Sequence, residues 1–77
     1  MIVKKRGPKP NTALTEKQLE ILQWLVFGKT NIEISMIMRH SETAIRQQVA
    51  TIIAKLSVQN RVAAVVSGLK LGLVRFP

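Results

Sequence analysis

Only three residues, Arg39, His40 and Ser41, stand between two segments that both read as helices. The second segment, "SETAIRQQVATIIAKL" read from its cap Ser41 to Leu56, places Ile45, Val49, Ile52 and Leu56 at i, i+4, i+7 and i+11, one stripe of a 3.6-residue period. The first, about Ile32 to Met38, takes Asn31 as its N-cap and buries Ile34 and Met38. Two short helices joined by about three residues, the second amphipathic and preceded by a cap, are the spacing of a helix-turn-helix.

Two more helices complete the pattern. Thr15 caps the first of the chain, with Gln18 as the other half of a capping box, Ile21, Leu22, Leu25 and Val26 on the buried side, and Gly28 at the end. Asn60 caps the last, which runs to Leu71 before Gly72. The fold class is therefore all-α: four helices forming one domain over 14–77, since 77 residues leave no room for a second. Without cysteine, stability rests on apolar packing, for which 47% hydrophobic residues is ample. Residues 1–13, "MIVKKRGPKPNTA", hold four of the twelve basic residues and two of the three prolines, and read as an extended basic arm.

Twelve Lys and Arg against four Glu give a net charge of +8, which points to a polyanionic partner, nucleic acid first and an anionic membrane surface second. No apolar run is long enough to span a bilayer, and no signal peptide follows the basic start, so the expected location is the cytoplasm, on the nucleoid. A membrane-surface peptide would carry its basic and apolar faces on one long helix, which this chain lacks. Dispersed glutamates, no glycine-rich phosphate loop and no nucleophile–base pair argue against an enzyme, and the residues call for no cofactor. Glu20 and Glu33 read as structural partners of Arg61 or of a backbone terminus. The lone His40, at the turn, reads as a packing or hydrogen-bonding residue with no second metal ligand in view.

In a helix-turn-helix the second helix lies in the DNA major groove. The face opposite the apolar stripe here is Thr43, Gln47, Ala50, Thr51 and Ala54: small, neutral and free of carboxylates. Such a face suits a surface that DNA will cover.

From Leu14 to Val74 the chain resembles the LuxR-type helix-turn-helix family. The matching residues are Leu14-Thr15, Glu20-Ile21-Leu22, Gly28-Lys29-Thr30-Asn31, Glu33-Ile34, Ser41-Glu42, Ile45-Arg46, Lys55-Leu56, Val58, Arg61, Ala64-Val65 and Gly72-Leu73, and their spacing agrees without a gap. The resemblance implies a four-helix DNA-binding domain that dimerises through its last helix and regulates transcription. Most family members carry a sensing or receiver domain ahead of this one; a start at Met with a basic arm favours a single-domain member. The chain departs from the family pattern at Ala44, where Thr is usual, at Gln48 in place of a common His, at His40 in place of an aliphatic residue, and at Ser57 in place of a frequent Gly.

Phosphates are met by basic side chains, hydroxyls and the N–H groups of helix N-termini. Lys29, Thr30 and Asn31 form one such cluster, and Thr43, Arg46 and Lys55 a second along the third helix; Lys29 and Lys55 are otherwise ordinary solvated lysines. For base readout the candidates are Arg46, toward guanine O6 and N7, and Gln47, toward adenine N6 and N7, with Thr43 and Thr51 secondary. The alternative is that Arg46 binds phosphate alone and Gln47 faces water. Arg6 and Lys9 in "KKRGPKP" suit an A·T-rich minor groove, or simply a solvated tail that adds non-specific affinity.

The fourth helix is apolar nearly all round. Ala64, Val65, Gly68 and Leu71 can face the core, leaving Val62, Val66 and Leu69, with Lys70 beside them, as a second stripe. A second copy of the chain would cover it, giving a two-fold dimer on an inverted-repeat site; the alternative is a wider core contact. Phe27, Ile32, Met36 and Ile37 form a further apolar cluster, either a contact for RNA polymerase or a regulatory protein, or a patch closed by Phe27 and the arm. The leading expectation is a homodimeric sequence-specific regulator of transcription on double-stranded DNA. The alternative is a small module that heterodimerises with a full-length relative and keeps it from DNA.

Overall fold

A computed structural model describes residues 13–77. Four helices follow one another: α1 (Glu16–Val26), α2 (Asn31–Met38), α3 (Glu42–Lys55) and α4 (Arg61–Lys70). Each begins at an extended residue whose side chain accepts the backbone N–H three residues on: Thr15, Thr30, Ser41 and Asn60. Thr15 with Gln18 makes the expected capping box, each side chain taking the other's backbone N–H.

The start of α2 differs from the expectation. Thr30, not Asn31, is the N-cap, because Glu33 lies three residues beyond Thr30 and closes a second box: Thr30 N–H donates to Glu33 Oε1 at 2.8 Å, and Glu33 N–H to Thr30 Oγ1 at 3.1 Å. Asn31 has Ile34 at that offset, which has no acceptor to return the bond.

The ends follow one device. A residue in the left-handed region closes every helix: Gly28 (φ 81°) after α1, Arg39 (φ 59°) after α2, Ser57 (φ 56°) after α3 and Gly72 (φ 74°) after α4. Arg39 and Ser57 hold this backbone without glycine's freedom, at a cost on the order of 1–2 kcal/mol each. At the α2–α3 joint, the N–H groups of Arg39 and His40 both donate to the Ser35 carbonyl.

The core lies where α3 crosses the other three helices. Its largest fully buried side chains are Ile21 and Leu22 from α1, Ile34 from α2, and Ile45 and Ile52 from α3. Leu25, Val49, Leu56, Ala64 and Val74 are buried around them, and Val26, Met38 and Val65 pack partly buried against them. Gln18 and Ser35 are buried as well, though both are polar. Leu71 does not join the core; α4 ends at Lys70, the chain turns at Leu71, and that side chain is 54% exposed. Val74 closes this end instead.

Gly68 lets α4 lie against α1. A Cβ built there would stand 2.8 Å from Leu22 Cδ2 and 3.0 Å from Val74 Cγ2, both on buried side chains with little room to move. In an exposed helix Gly→Ala would gain about 1 kcal/mol. Gly68→Ala is expected instead to lower stability by about 1 kcal/mol net, because overpacking on the order of 1–3 kcal/mol outweighs that gain. Thermal and urea unfolding followed by circular dichroism read the sign directly.

Candidate nucleic-acid interface

α3 presents the face expected of it. Ile45, Val49, Ile52 and Leu56 are buried, while Thr43, Arg46, Gln47, Ala50, Thr51 and Ala54 are exposed. Arg46 Nη2 reaches Thr43 Oγ1 at 3.5 Å, and Thr51 Oγ1 donates to the Gln47 carbonyl at 3.0 Å, so the hydroxyls of this face are tethered while the Gln47 side chain points outward. Glu42 carries the one carboxylate of α3, in the first turn.

Beside the N-terminal end of α3 lies the α1–α2 loop. An open groove of about 450 Å³ gathers Lys29, Thr30, Asn31 and Ile32 with Glu42 of α3 and Arg61, Val62 and Val65 of α4. Lys29, Thr30 and Asn31 thus stand near Glu42 at the start of α3, with the first turn of α2 beside them. Arg61 Nη2 donates to the Lys29 carbonyl at 3.5 Å, tying α4 to this loop. Arg61 therefore engages backbone, whereas Glu33 serves its own helix terminus and Glu20 accepts from Trp24 Nε1 at 3.4 Å. Asn31 Oδ1 is buried with no hydrogen-bond partner among the described residues.

Lys55 turns toward α1. Its Nζ donates inward to Gln18 Oε1 at 2.9 Å and to the Ala13 carbonyl at 3.2 Å, so the ammonium is committed to α1 and does not extend along the outward face with Thr43 and Arg46. Reasoning from the sequence missed this because Gln18 was taken up entirely by the capping box. Its long amide serves Lys55 and Gln48 as well, and the only sequence signal is an amide on the buried side of α1.

On α4, Val62 is 69% and Val66 45% exposed, and Lys70 is exposed between them and the chain's end. Leu69 is partly buried and packs on the core, so the outward stripe is narrower than expected. Ile32, Met36, Ile37 and Phe27 are all exposed, Met36 by 68%, and Phe27 meets Trp24 edge-on at 5.6 Å between ring centroids. Arg6 and Lys9 lie outside the described residues. No helix among the described residues is long and apolar enough to cross a membrane, and no cluster of potential metal ligands occurs among them.

The Glu33 carboxylate is held below its ordinary range, chiefly by accepting the Thr30 N–H; desolvation opposes this, and the Thr30 hydroxyl and the charge of Lys29 reinforce it. A lowered folded pKa means that ionised Glu33 stabilises the fold above its ordinary pKa, and that this contribution is lost as pH falls through the lowered value. Glu33→Gln keeps an acceptor without the charge. The wild type is expected to melt above the variant at neutral pH, with the difference closing on acidification through the carboxylate range; thermal melts across pH check this.

The model of the family described as bacterial regulatory proteins, luxR family, matches residues 12–67. A transcriptional activator protein, SolR, from Ralstonia nicotianae is 37% identical over 73 residues, covering 95% of this chain and 31% of that protein. The HTH-type quorum sensing-dependent transcriptional regulator RpaR of Rhodopseudomonas palustris is 43% identical over 70 residues, 88% of this chain and 29% of its own length. The chain thus spans about a third of the length of these relatives. Among solved structures, the transcription factor GerE superposes with a TM-score of 0.76 at 34% identity, covering 79% of this chain and 91% of that one.

Proposed function

The chain belongs to the luxR family of bacterial regulatory proteins, and from that premise we propose that it is a sequence-specific regulator of transcription, acting as a homodimer on an inverted repeat with α3 in the major groove of each half-site. The observation that carries this reading is the exposed face of α3: Thr43, Arg46, Gln47 and Thr51 point outward without a carboxylate among them, and the Lys29–Asn31 loop lies near Glu42 at the start of the helix. Arg46 bridges guanine O6 and N7, and Gln47 reads adenine. Lys29, Thr30 and the first N–H groups of α2 hold a phosphate and set the register of α3 in the groove. Arg6 and Lys9 supply further phosphate contacts from the arm.

Val62 and Val66 leave α4 an apolar strip that a two-fold copy buries, and the dimer brings two copies of α3 to successive turns of one duplex face.

Fluorescence anisotropy against random duplex and against a selected pool of inverted repeats, over a range of salt, tests the reading. A selected site is expected to bind on the order of 10³-fold tighter than random DNA. Arg46→Ala is expected to remove about 1–3 kcal/mol of that discrimination, and to weaken random binding far less. Val66→Glu is expected to stay folded but sediment as a monomer and lose the preference for inverted repeats. Weak binding that separates no sequence from another would favour the module that heterodimerises with a full-length relative.

A further inference from the structure

The Gln18 side chain is buried, and its carbonyl accepts two hydrogen bonds. Its Oε1 accepts both from Thr15 N–H at 3.0 Å and from Lys55 Nζ at 2.9 Å, and its Nε2 donates to Gln48 Oε1 at 3.0 Å. Gln48 and Lys55 stand seven residues apart, two turns along a single flank of α3. One amide of α1 therefore holds α3 at two points along its length, both off to the side of the apolar stripe.

Such an arrangement does something the stripe does not. Ile45, Val49, Ile52 and Leu56 hold α3 against the core through contacts that have no preferred direction. Rolling the helix by about 10° about its axis would move an outward side chain, roughly 6 Å from that axis, by about 1 Å, which is beyond the tolerance of a precise recognition site. Hydrogen bonds to one flank oppose that roll, because they weaken steeply as distance and angle depart from optimal. Resting on the reading of α3 as the helix that enters the major groove, we propose that Gln18 is a positioning residue for DNA recognition: through Gln48 and Lys55 it fixes the roll of α3, and so determines where Arg46 and Gln47 meet the bases. Gln18 touches no DNA. Its influence is on discrimination between sequences, while the electrostatic attraction to any duplex is left in place. Lys55, on this account, is part of the same device, and its charge is used to orient the helix.

The test measures affinity for the selected site and for random duplex, together with the salt slope on random duplex and the melting temperature, in wild type, Gln18→Met, Gln18→Glu and Gln48→Met. Gln18→Met keeps length and volume but loses every bond of the amide. The ratio of specific to random affinity is expected to fall about tenfold or more, with random affinity and salt slope within about twofold of wild type. Gln18→Glu is expected to restore most of the ratio, since a carboxylate accepts from Thr15 and Lys55, and Gln48 can turn its amide to donate to it. Should Gln18→Met not fold, Gln48→Met, which breaks a single bond at a half-buried site, is expected to lower the ratio in the same direction by a smaller factor.

A folded Gln18→Met or Gln48→Met that melts lower yet keeps the wild-type ratio overturns the proposal, leaving the network a matter of stability alone. A Gln18→Glu that does no better than Gln18→Met also overturns it. Failure of the wild type itself to discriminate between sequences is a different result: it removes the reading of α3 on which this proposal rests.

Discussion

The apolar seam that joins α3 to the rest of the molecule governs everything else in the fold. Ile45 and Ile52 are fully buried against Ile21, Leu22 and Ile34, so one stripe of α3 is shared by α1 and α2, while α4 reaches the same core through Ala64 and the side-chain-free surface of Gly68. Burying one stripe so completely dictates which residues face outward. Those residues are Thr43, Arg46, Gln47, Ala50, Thr51 and Ala54, and their freedom to meet a duplex is a consequence of what the opposite side must hide.

Polar contacts then refine what packing leaves loose. A side-chain cap satisfies one first-turn N–H of each helix, and left-handed residues close each end, so the segments between helices are only a few residues long. The Thr30–Glu33 box shapes the loop that carries Lys29 beside α3, and Arg61 draws α4 toward the carbonyl of that same Lys29. The strip proposed for dimerisation and the loop proposed for phosphate are thereby neighbours in one groove, with Val62 and Lys29 both in its wall. Gln18 supplies the corresponding link on the other flank.

Most of the framework was legible in the residues. The 3.6-residue stripe of α3, the Thr15–Gln18 pair, Ser41 and Asn60 as caps, and Gly28 and Gly72 as stops each have one dominant local cause, and local causes can be read without a fold. What escaped had two competing local readings or a cause distant in sequence. Thr30 and Asn31 are both good caps, and the choice fell to Glu33, whose side chain completes a box with one and not the other. Leu71 and Leu69 exchanged roles because α4 stops at Lys70 and the turn carries Leu71 outward. Lys55 looked like a surface cation because its partners, Ala13 and Gln18, lie 42 and 37 residues earlier in the chain. The outward residues of α3 form the face that its apolar stripe implies.

The most direct measurement is a backbone amide NMR titration of the protein with a selected inverted-repeat duplex and, in parallel, with a scrambled one. The selected duplex is expected to perturb Lys29–Asn31 and the Thr43–Thr51 stretch of α3 most strongly, with the α3 perturbations much reduced for the scrambled sequence and those at Lys29–Asn31 retained. Perturbations centred on another surface, such as Met36 and Ile37 of α2, or an α3 response identical for both duplexes, would contradict the claim that α3 is the element that reads sequence.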